Sequence, residues 1–211
     1  MRLYGFWRSG ATWRVRIALN LKGLAYDAMP VDLGAGEQRG DAYLDINSQG
    51  MVPTLEVEGR RISQSLAIIE WLDERFPTPP LLPLHADERA TVRAMALTIA
   101  CDIHPLNVPR VQRELKSSLG AQQGQLDAWI ARWIGEGFDH IEREIARHGA
   151  GFAFGAAPSL VDCCLIPQVA SARRFGVDLA PYPHIRAVDA AAAHHPAFVA
   201  ARPDMQPGAS E

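Results

Sequence analysis

The hydrophobic positions of the first part of the chain form short apolar runs and one clear helical repeat. Arg2 to Phe6 (RLYGF) predicts a short strand with a glycine inside it. From Thr12 onward, apolar residues recur every four positions, at Trp13, Ile17 and Leu21. This spacing predicts a helix whose C-cap is Gly23.

Three basic residues of this helix lie off its apolar face: Arg14, Arg16 and Lys22. Charged side chains on such a face are usually solvated, so the pattern predicts that all three point outward. We interpret the two arginines as structural residues that pair with acidic groups between domains.

The chain then returns to short strands. Residues 24–33 predict a second strand, Asp41 to Ile46 a short helix, and Met51 to Ile62 two strands that join at Glu58 and Gly59. The segment LAIIEWLDERF predicts a helix that starts immediately after Ser65. The predicted order of elements is therefore βαβ(α)ββα.

A cluster of prolines, PTPPLLP, follows this order and cannot continue a helix. It predicts two domains, an α/β domain over residues 1–83 and an all-helical domain over residues 84–211. In the second domain the apolar periodicity predicts helices over residues 86–119, 126–148, 160–175 and 185–194, followed by a polar tail from Arg202. Ser159 and Asp162 have the spacing of a capping box.

Composition and charge narrow the class of protein. The chain of 211 residues is 48% hydrophobic and 21% charged, with a formal net charge of -3, as expected for a globular protein that does not bind nucleic acid as its main partner. No run of apolar residues is long enough to span a membrane, and the N-terminus has no apolar core of signal-peptide length. We expect a cytoplasmic protein.

The cysteines and histidines do not have the spacing of metal ligands, so no metal site is predicted. Cys101, Cys163 and Cys164 form no C-x-x-C pair, and an odd, sparse set of cysteines is typical of a reducing compartment. We interpret all three as buried structural residues.

Two short stretches of the first domain are candidates for binding. Pro53 in the tripeptide MVP cannot donate to a sheet, so it belongs at a strand start, where a cis bond would leave the backbone of Val52 free to pair with an extended peptide. Ser65 at a helix N-terminus presents a hydroxyl and free N–H groups that suit a carboxylate. Each feature is also compatible with a purely structural role, as a strand start or a helix cap.

These residues together resemble the glutathione transferases. The resemblance rests on the N-terminal order of elements, the MVP turn, the pair Gln64 and Ser65, and the SLVD box that begins at Ser159. Within that family RSGATWRVRIAL resembles the zeta-class signature, and the FWRSG and CDIHP runs are similar to those of bacterial glutathione-dependent maleylpyruvate isomerases. The resemblance covers essentially the entire chain.

The resemblance implies a thioredoxin-like N-terminal domain, an all-α C-terminal domain, glutathione as cofactor and a homodimer. It implies that Ser9 stabilises the glutathione thiolate and that Arg8 beside it acts on the substrate. The residues expected to bind glutathione are Ser9, Val52, Pro53, Gln64, Ser65, Asp102, His104 and Asn107. The residues expected to bind the carboxylates of the substrate are Arg8, Arg110 and Arg174.

The chain departs from the zeta signature at two positions. Gly10 and Ala11 stand where the signature has a second serine and a cysteine. A mechanism that needs the cysteine is excluded by this difference, whereas one that rests on Ser9 is retained.

The activity that the resemblance implies is the cis–trans isomerisation of maleylpyruvate or maleylacetoacetate. A thiolate adds to the activated double bond, the resulting single bond rotates, and the thiolate departs, while arginines stabilise the enolate. Two alternatives are a transferase that conjugates or dehalogenates small α-halo acids, and a protein of the same fold that only binds or assembles, without turnover. Covalent glutathione products from a chloro acid would favour the first, and failure to bind a glutathione column would favour the second.

Overall fold

The computed structural model describes residues 1–209 of the chain, which divide into two units. The first unit comprises Met1–Leu81 and the C-terminal residues from Ala193 onward, and the second comprises Leu82–Ala192. The chain thus passes from the first unit to the second after Leu81, two residues before the predicted domain boundary between residues 83 and 84. The division into domains at that boundary remains a prediction. The predicted tail from Arg202 extends into residues 210 and 211, which lie outside the described part.

The first unit is built on a small mixed sheet of four strands, arranged in the order β2-β1-β3-β4. The strands are β1 (Arg2–Gly5), β2 (Asp27–Pro30), β3 (Thr54–Val57) and β4 (Arg60–Ser63). Strands β1 and β2 are parallel, and the other two pairs are antiparallel. The register places Leu3 opposite Leu55, and both side chains are buried.

Four helices belong to the first unit: α1 (Gly10–Leu21), α2 (Asp41–Leu44), α3 (Ser65–Arg75) and, near the C-terminus, α9 (Pro196–Ala201). Helix α1 contacts both α3 and α9. The predicted order βαβ(α)ββα is confirmed, and this sheet with its helices is the expected thioredoxin-like domain.

The glycine inside the first predicted strand has a steric role. A Cβ on Gly5 would lie 2.2 Å from Cγ2 of Thr12, so only glycine lets the end of β1 approach the first turn of α1 this closely. Strand β1 ends at Gly5, one residue before the predicted end. This contact holds the N-terminus of α1, where Ser9 lies, against the end of the strand.

The second unit is helical, as predicted. Its helices are α4 (Ala86–Leu97), α5 (Pro109–Leu119), α6 (Gln123–His148), α7 (Leu160–Arg174) and α8 (Pro183–Ala193), the last residue of which already belongs to the first unit. The core of the unit contains Ile99, Ile130, Ile134, Phe138 and Ile166.

The predicted helix over residues 86–119 is wrong, because it is interrupted. After α4 the backbone forms a π-helical stretch, Thr98–Ile103, and then a 3-10 turn, His104–Leu106. A new helix starts only at Pro109. Pro105 and Pro109 have no N–H to donate to an α-helical ladder, and these two residues are the signal that the periodicity analysis overlooked.

Two further details concern the ends of helices. The capping box at the start of α7 is confirmed: Asp162 accepts hydrogen bonds from the N–H and the hydroxyl of Ser159 at 2.7 and 2.8 Å. Helix α9 lies between the fourth predicted helix and the predicted tail, where no element was predicted, and the tail itself contains a 3-10 turn, Pro203–Met205. Helix α9 is only six residues long, too short for periodicity to reveal.

Candidate active site

Ser9 occupies the N-cap of α1. Its backbone is extended, and its hydroxyl oxygen accepts a hydrogen bond from the N–H of Thr12 at 3.2 Å. Among residues 1–209 no acceptor takes the proton of this hydroxyl, and the residue is only partly buried. The hydroxyl can therefore donate to an anion placed at the helix N-terminus, where the helix dipole also favours negative charge.

The helix starts at Gly10, two residues before the predicted start at Thr12. The reason is that serine is favoured at the N-cap, so a helix can start directly after a serine and before its first apolar residue. The two residues that depart from the zeta signature, Gly10 and Ala11, form the first turn of the helix. Their N–H groups are among the first of the helix, which have no acceptor within the helix itself.

The turn before β3 contains a cis peptide bond between Val52 and Pro53, as predicted from MVP. The preceding carbonyl, that of Met51, accepts hydrogen bonds from the Tyr43 hydroxyl and the Asn47 amide, both at 2.8 Å. Within the described residues, the N–H and C=O of Val52 have no hydrogen-bonding partner. A held turn with a free backbone pair is what an extended peptide needs to dock.

Gln64 and Ser65 begin α3. Gln64 is the N-cap, with a φ of 69°, and its side-chain amide donates to Oε1 of Gln49 at 3.0 Å. Ser65 is the first residue of the helix and is buried. Its hydroxyl accepts a hydrogen bond of 3.4 Å from the guanidinium of Arg14.

The burial of the three basic residues of α1 corrects our prediction that they point outward. Arg14, Arg16 and Lys22 are only 3%, 3% and 7% exposed. Arg14 brings a positive charge to Ser65, and so reaches the candidate site for a carboxylate.

Arg16 and Lys22 are bound largely by backbone carbonyls. Arg16 donates to the carbonyls of Trp7 and Ala201 at 2.9 and 3.0 Å, and burial lowers its pKa to about 10. Lys22 donates to Asp73 and to the carbonyls of Phe76 and Pro79. These carbonyl partners could not be predicted from the hydrophobic pattern, because every residue has a backbone carbonyl.

Arg8 is exposed, and its guanidinium lies over the ring of Trp7 at 5.2 Å from the ring centre. The indole therefore holds the cation next to Ser9 in the sequence by a cation–π contact. Its role toward a substrate remains a prediction.

The other predicted residues lie in the second unit, three of them in the stretch between α4 and α5 and one, Arg110, in the first turn of α5. Asp102 is exposed, His104 is partly buried, and Arg110 is exposed near the start of α5. Asn107 is only 5% exposed, and within the described residues neither atom of its side-chain amide has a partner. Such a group has hydrogen-bonding capacity left for a ligand or a water.

Arg174, the last residue of α7, lies with its guanidinium 4.7 Å from the centre of the Phe175 ring. Its neighbour Arg173 instead forms an ion pair with Asp189 at 2.5 Å. Arg173 is thus paired with a carboxylate on α8, and Arg174 lies against an aromatic ring.

The prediction of buried cysteines is correct for Cys163 and Cys164 and wrong for Cys101, which is exposed in the π-helical stretch. Across residues 1–209 no three histidine, cysteine, aspartate or glutamate side chains form a group that could hold a metal ion. The helices of the same residues include none that is long and apolar enough to cross a membrane.

Comparison with protein families identifies the framework of this site. Residues 3–80 match the glutathione S-transferase N-terminal domain, and residues 60–191 match the glutathione S-transferase C-terminal domain. The chain is a glutathione S-transferase. The predicted family and fold are thereby confirmed, and solved relatives that hold glutathione support the predicted cofactor.

The transferase is similar over its whole length to maleylpyruvate and maleylacetoacetate isomerases. Maleylpyruvate isomerase of Ralstonia sp is 50% identical over 210 residues, which cover 98% of this chain and 99% of that protein. The holo structure of maleyl pyruvate isomerase, a bacterial zeta-class transferase, has a TM-score of 0.96 at 50% identity and covers 99% of both chains. Maleylacetoacetate isomerase from Methylobacterium extorquens AM1, solved with malonate and glutathione, has a TM-score of 0.93 at 38% identity, again over 99% of both.

The residues of the first unit fit glutathione in their donor set. Glutathione is a peptide with a thiol and two carboxylates, and the unit offers a free hydroxyl proton at Ser9, a free backbone pair at Val52 and a helix N-terminus with a buried arginine at Ser65. Each of these groups matches one of the three chemical parts of the peptide.

Proposed function

We propose that this transferase is a glutathione-dependent cis–trans isomerase of maleylpyruvate or maleylacetoacetate. The observation that carries the proposal is Ser9, whose hydroxyl is fixed by the N–H of Thr12 and keeps its own proton for an anion. The similarity to isomerases at 50% identity over the full chain supports the choice of reaction.

Glutathione would be held in the first unit by the backbone of Val52, by Pro53, and by Gln64 and Ser65, with the thiol at Ser9. Asp102, His104 and Asn107 would complete the binding set from the second unit. Arg14 joins this set as a new member, because its buried guanidinium donates to the Ser65 hydroxyl where we place a carboxylate.

When bound, glutathione supplies a sulfur nucleophile that adds reversibly to an activated double bond, so that the bond can rotate. Ser9 keeps the sulfur ionised because its hydroxyl donates a hydrogen bond to the thiolate. The first N–H groups of α1 add the field of the helix dipole. The arginines Arg8, Arg110 and Arg174 would bind the two carboxylates and the keto oxygen of the substrate. Arginine suits this task because its planar fork matches a carboxylate and remains charged.

The test is to measure kcat/KM for maleylpyruvate and for maleylacetoacetate on one preparation, with and without glutathione. The proposal requires turnover of at least one substrate that is lost when glutathione is omitted. Activity that persists without glutathione would overturn it. Covalent glutathione products from a chloro acid, formed faster than either isomerisation, would instead favour a conjugating or dehalogenating transferase.

We further propose that the protein acts in the cytoplasm as a homodimer. The free cysteines fit a reducing compartment, and the resemblance to the transferase family implies the dimer. Light scattering of the purified protein at several concentrations would test the dimer, since a single mass near 23.1 kDa would contradict it.

A further inference from the structure

The π-helical stretch Thr98–Ile103 contains one of the proposed glutathione residues, Asp102, and a second, His104, follows it directly. Asp102 is exposed, Ile103 is fully buried, and His104 is partly buried. π-helical turns are rare, and they are frequent at functional sites because an extra residue per turn re-aims the side chains that follow. The directions of Asp102 and His104 therefore depend on how the residue between them, Ile103, is anchored.

Ile103 is anchored against Gly137 of α6. A Cβ on Gly137 would lie 2.2 Å from Cδ1 and 2.3 Å from Cγ1 of Ile103. Neither distance is possible for a real contact, and Ile103 has no exposed surface into which it can move. Only glycine at this position lets the π-helical stretch lie as close to α6 as it does.

Gly137 differs in this respect from the other glycines of the same helix. A Cβ on Gly135 would be 3.6 Å from the Tyr182 hydroxyl, an ordinary contact, and one on Gly124 would have nothing within 4 Å. Glycine in a helix interior is destabilising relative to alanine, so it needs a compensating reason. At Gly137 that reason is the approach of Ile103.

Helix α6 also holds the chain on the other side of His104. The indole N–H of Trp129 donates to the carbonyl of Leu106 at 2.8 Å, within the 3-10 turn. His104 thus lies between two points, Ile103 and Leu106, at which α6 fixes the backbone. Gly137 also lines a surface depression together with Asp102.

We propose that Gly137 is a positioning residue for glutathione binding: by admitting Ile103 it sets the directions of Asp102 and His104. The inference rests on the proposed glutathione site, and it assigns a function to a residue that has no side chain to bind with.

The experiment compares Gly137→Ala with Gly135→Ala, two identical changes two residues apart in the same helix. For Gly137→Ala we expect the KM for glutathione to rise about fivefold or more while kcat at saturating glutathione stays within about twofold, since Ser9 lies in the other unit. Gly135→Ala should leave both constants unchanged. Calorimetric titration with glutathione alone should likewise show weaker binding to Gly137→Ala than to Gly135→Ala, without any isomerase substrate.

A rescue variant separates positioning from loss of stability. In Gly137→Ala with Ile103→Ala, the nearest remaining atom is the Cβ of residue 103, which lies 3.8 Å from the new methyl group. The double variant should therefore bind glutathione more tightly than Gly137→Ala alone. If Gly137→Ala does not fold, Trp129→Phe tests the second anchor, and we expect a rise of about twofold in the glutathione KM.

Three outcomes are decisive. A lower melting temperature for Gly137→Ala with the glutathione affinity of Gly135→Ala would overturn the inference and leave the proposed function intact. An unchanged affinity in Trp129→Phe would do the same where Gly137→Ala cannot be purified. Failure of the wild-type protein to bind glutathione would overturn the proposed function together with the inference.

Discussion

Ser9 and Ser159 are the N-caps of helices α1 and α7. They differ in the hydrogen-bonding capacity that remains to their hydroxyls. The Ser159 hydroxyl accepts from the N–H of Val161 and donates to Asp162, in a buried setting that uses its full capacity. The Ser9 hydroxyl accepts from Thr12 and has no acceptor among residues 1–209 for its proton. The same capping residue therefore stabilises a fold in one unit and remains available to a ligand in the other.

The largest expected effect is a separation of activity from stability by two matched substitutions. Ser9→Ala should lower the isomerase kcat/KM about 100-fold, because a hydrogen bond to a charged sulfur is lost, and should cost only about 1 kcal/mol of stability. Ser159→Ala should cost about 2 kcal/mol or more, since it also deprives buried Asp162 of a donor, and should leave kcat/KM unchanged. Steady-state kinetics and chemical denaturation of both variants would measure this.

A control for the first variant is Ser9→Thr, which keeps the hydroxyl and should retain much more activity than Ser9→Ala. Equal losses of activity in Ser9→Ala and Ser159→Ala would remove the distinction between the two caps.

The next effect concerns the substrate carboxylates. Arg110→Met and Arg174→Met should each raise the KM for the keto acid about tenfold and leave the KM for glutathione unchanged, since each removes one charged hydrogen-bonding partner. Arg173→Met is the matched control, because that arginine is engaged by Asp189. A larger effect at Arg173 than at Arg174 would mean that we have assigned the wrong member of the pair.

A third helix N-terminus, that of α3, extends the comparison of the caps. There Ser65 is backed by buried Arg14, so we expect it to resemble Ser9 rather than Ser159 in serving a ligand. Arg14→Met should raise the KM for glutathione about fivefold, through loss of the positive charge near its carboxylate. Ser65→Ala should shift the same constant in the same direction, and an unchanged glutathione KM in both variants would restore the structural interpretation of Arg14.

How far the sequence predicts this arrangement depends on the kind of residue. Ser9, Val52 and Ser65 could be located because caps and strand starts have local signals, and Ser159 because its partner is three residues away. The burial of Arg14 could not be predicted, since its partner Ser65 is distant in the chain and a helical pattern assigns charged residues to solvent.

The second unit was harder to predict in detail for a related reason. A π-helical turn follows no hydrophobic period, so residues 98–103 read as a continuation of α4. Gly137 offered no motif either, because its importance lies in the distance to Ile103. Helix existence was predictable from the repeat of apolar residues, whereas the interruption that aims Asp102 and His104 depends on tertiary packing.

A separate effect, on stability and not on activity, is a dependence on pH at Asp162, the partner of Ser159. Burial raises the pKa of Asp162 from 3.8 to about 6 in the folded protein, so the folded state binds a proton that the unfolded state releases in this range. The contribution of Asp162 to stability is therefore full below about pH 4 and declines as the pH rises through about 6.

Asp162→Asn has no such titration, which makes it the reference. The stability difference between wild type and Asp162→Asn should shrink by up to about 3 kcal/mol between pH 4 and pH 7.5, measured by urea denaturation at each pH. A difference that is constant or that grows over this range would mean that the hydrogen bonds to Asp162 outweigh its burial.

The central claim is that Ser9 keeps a bound thiol ionised, and the pKa of glutathione on the protein tests it most directly. We would titrate the thiolate absorbance of glutathione bound to wild type, to Ser9→Ala and to Ser159→Ala. The account predicts a thiol pKa well below that of free glutathione in wild type and in Ser159→Ala, and a pKa raised toward the free value in Ser9→Ala. The same lowered pKa in all three proteins would contradict it.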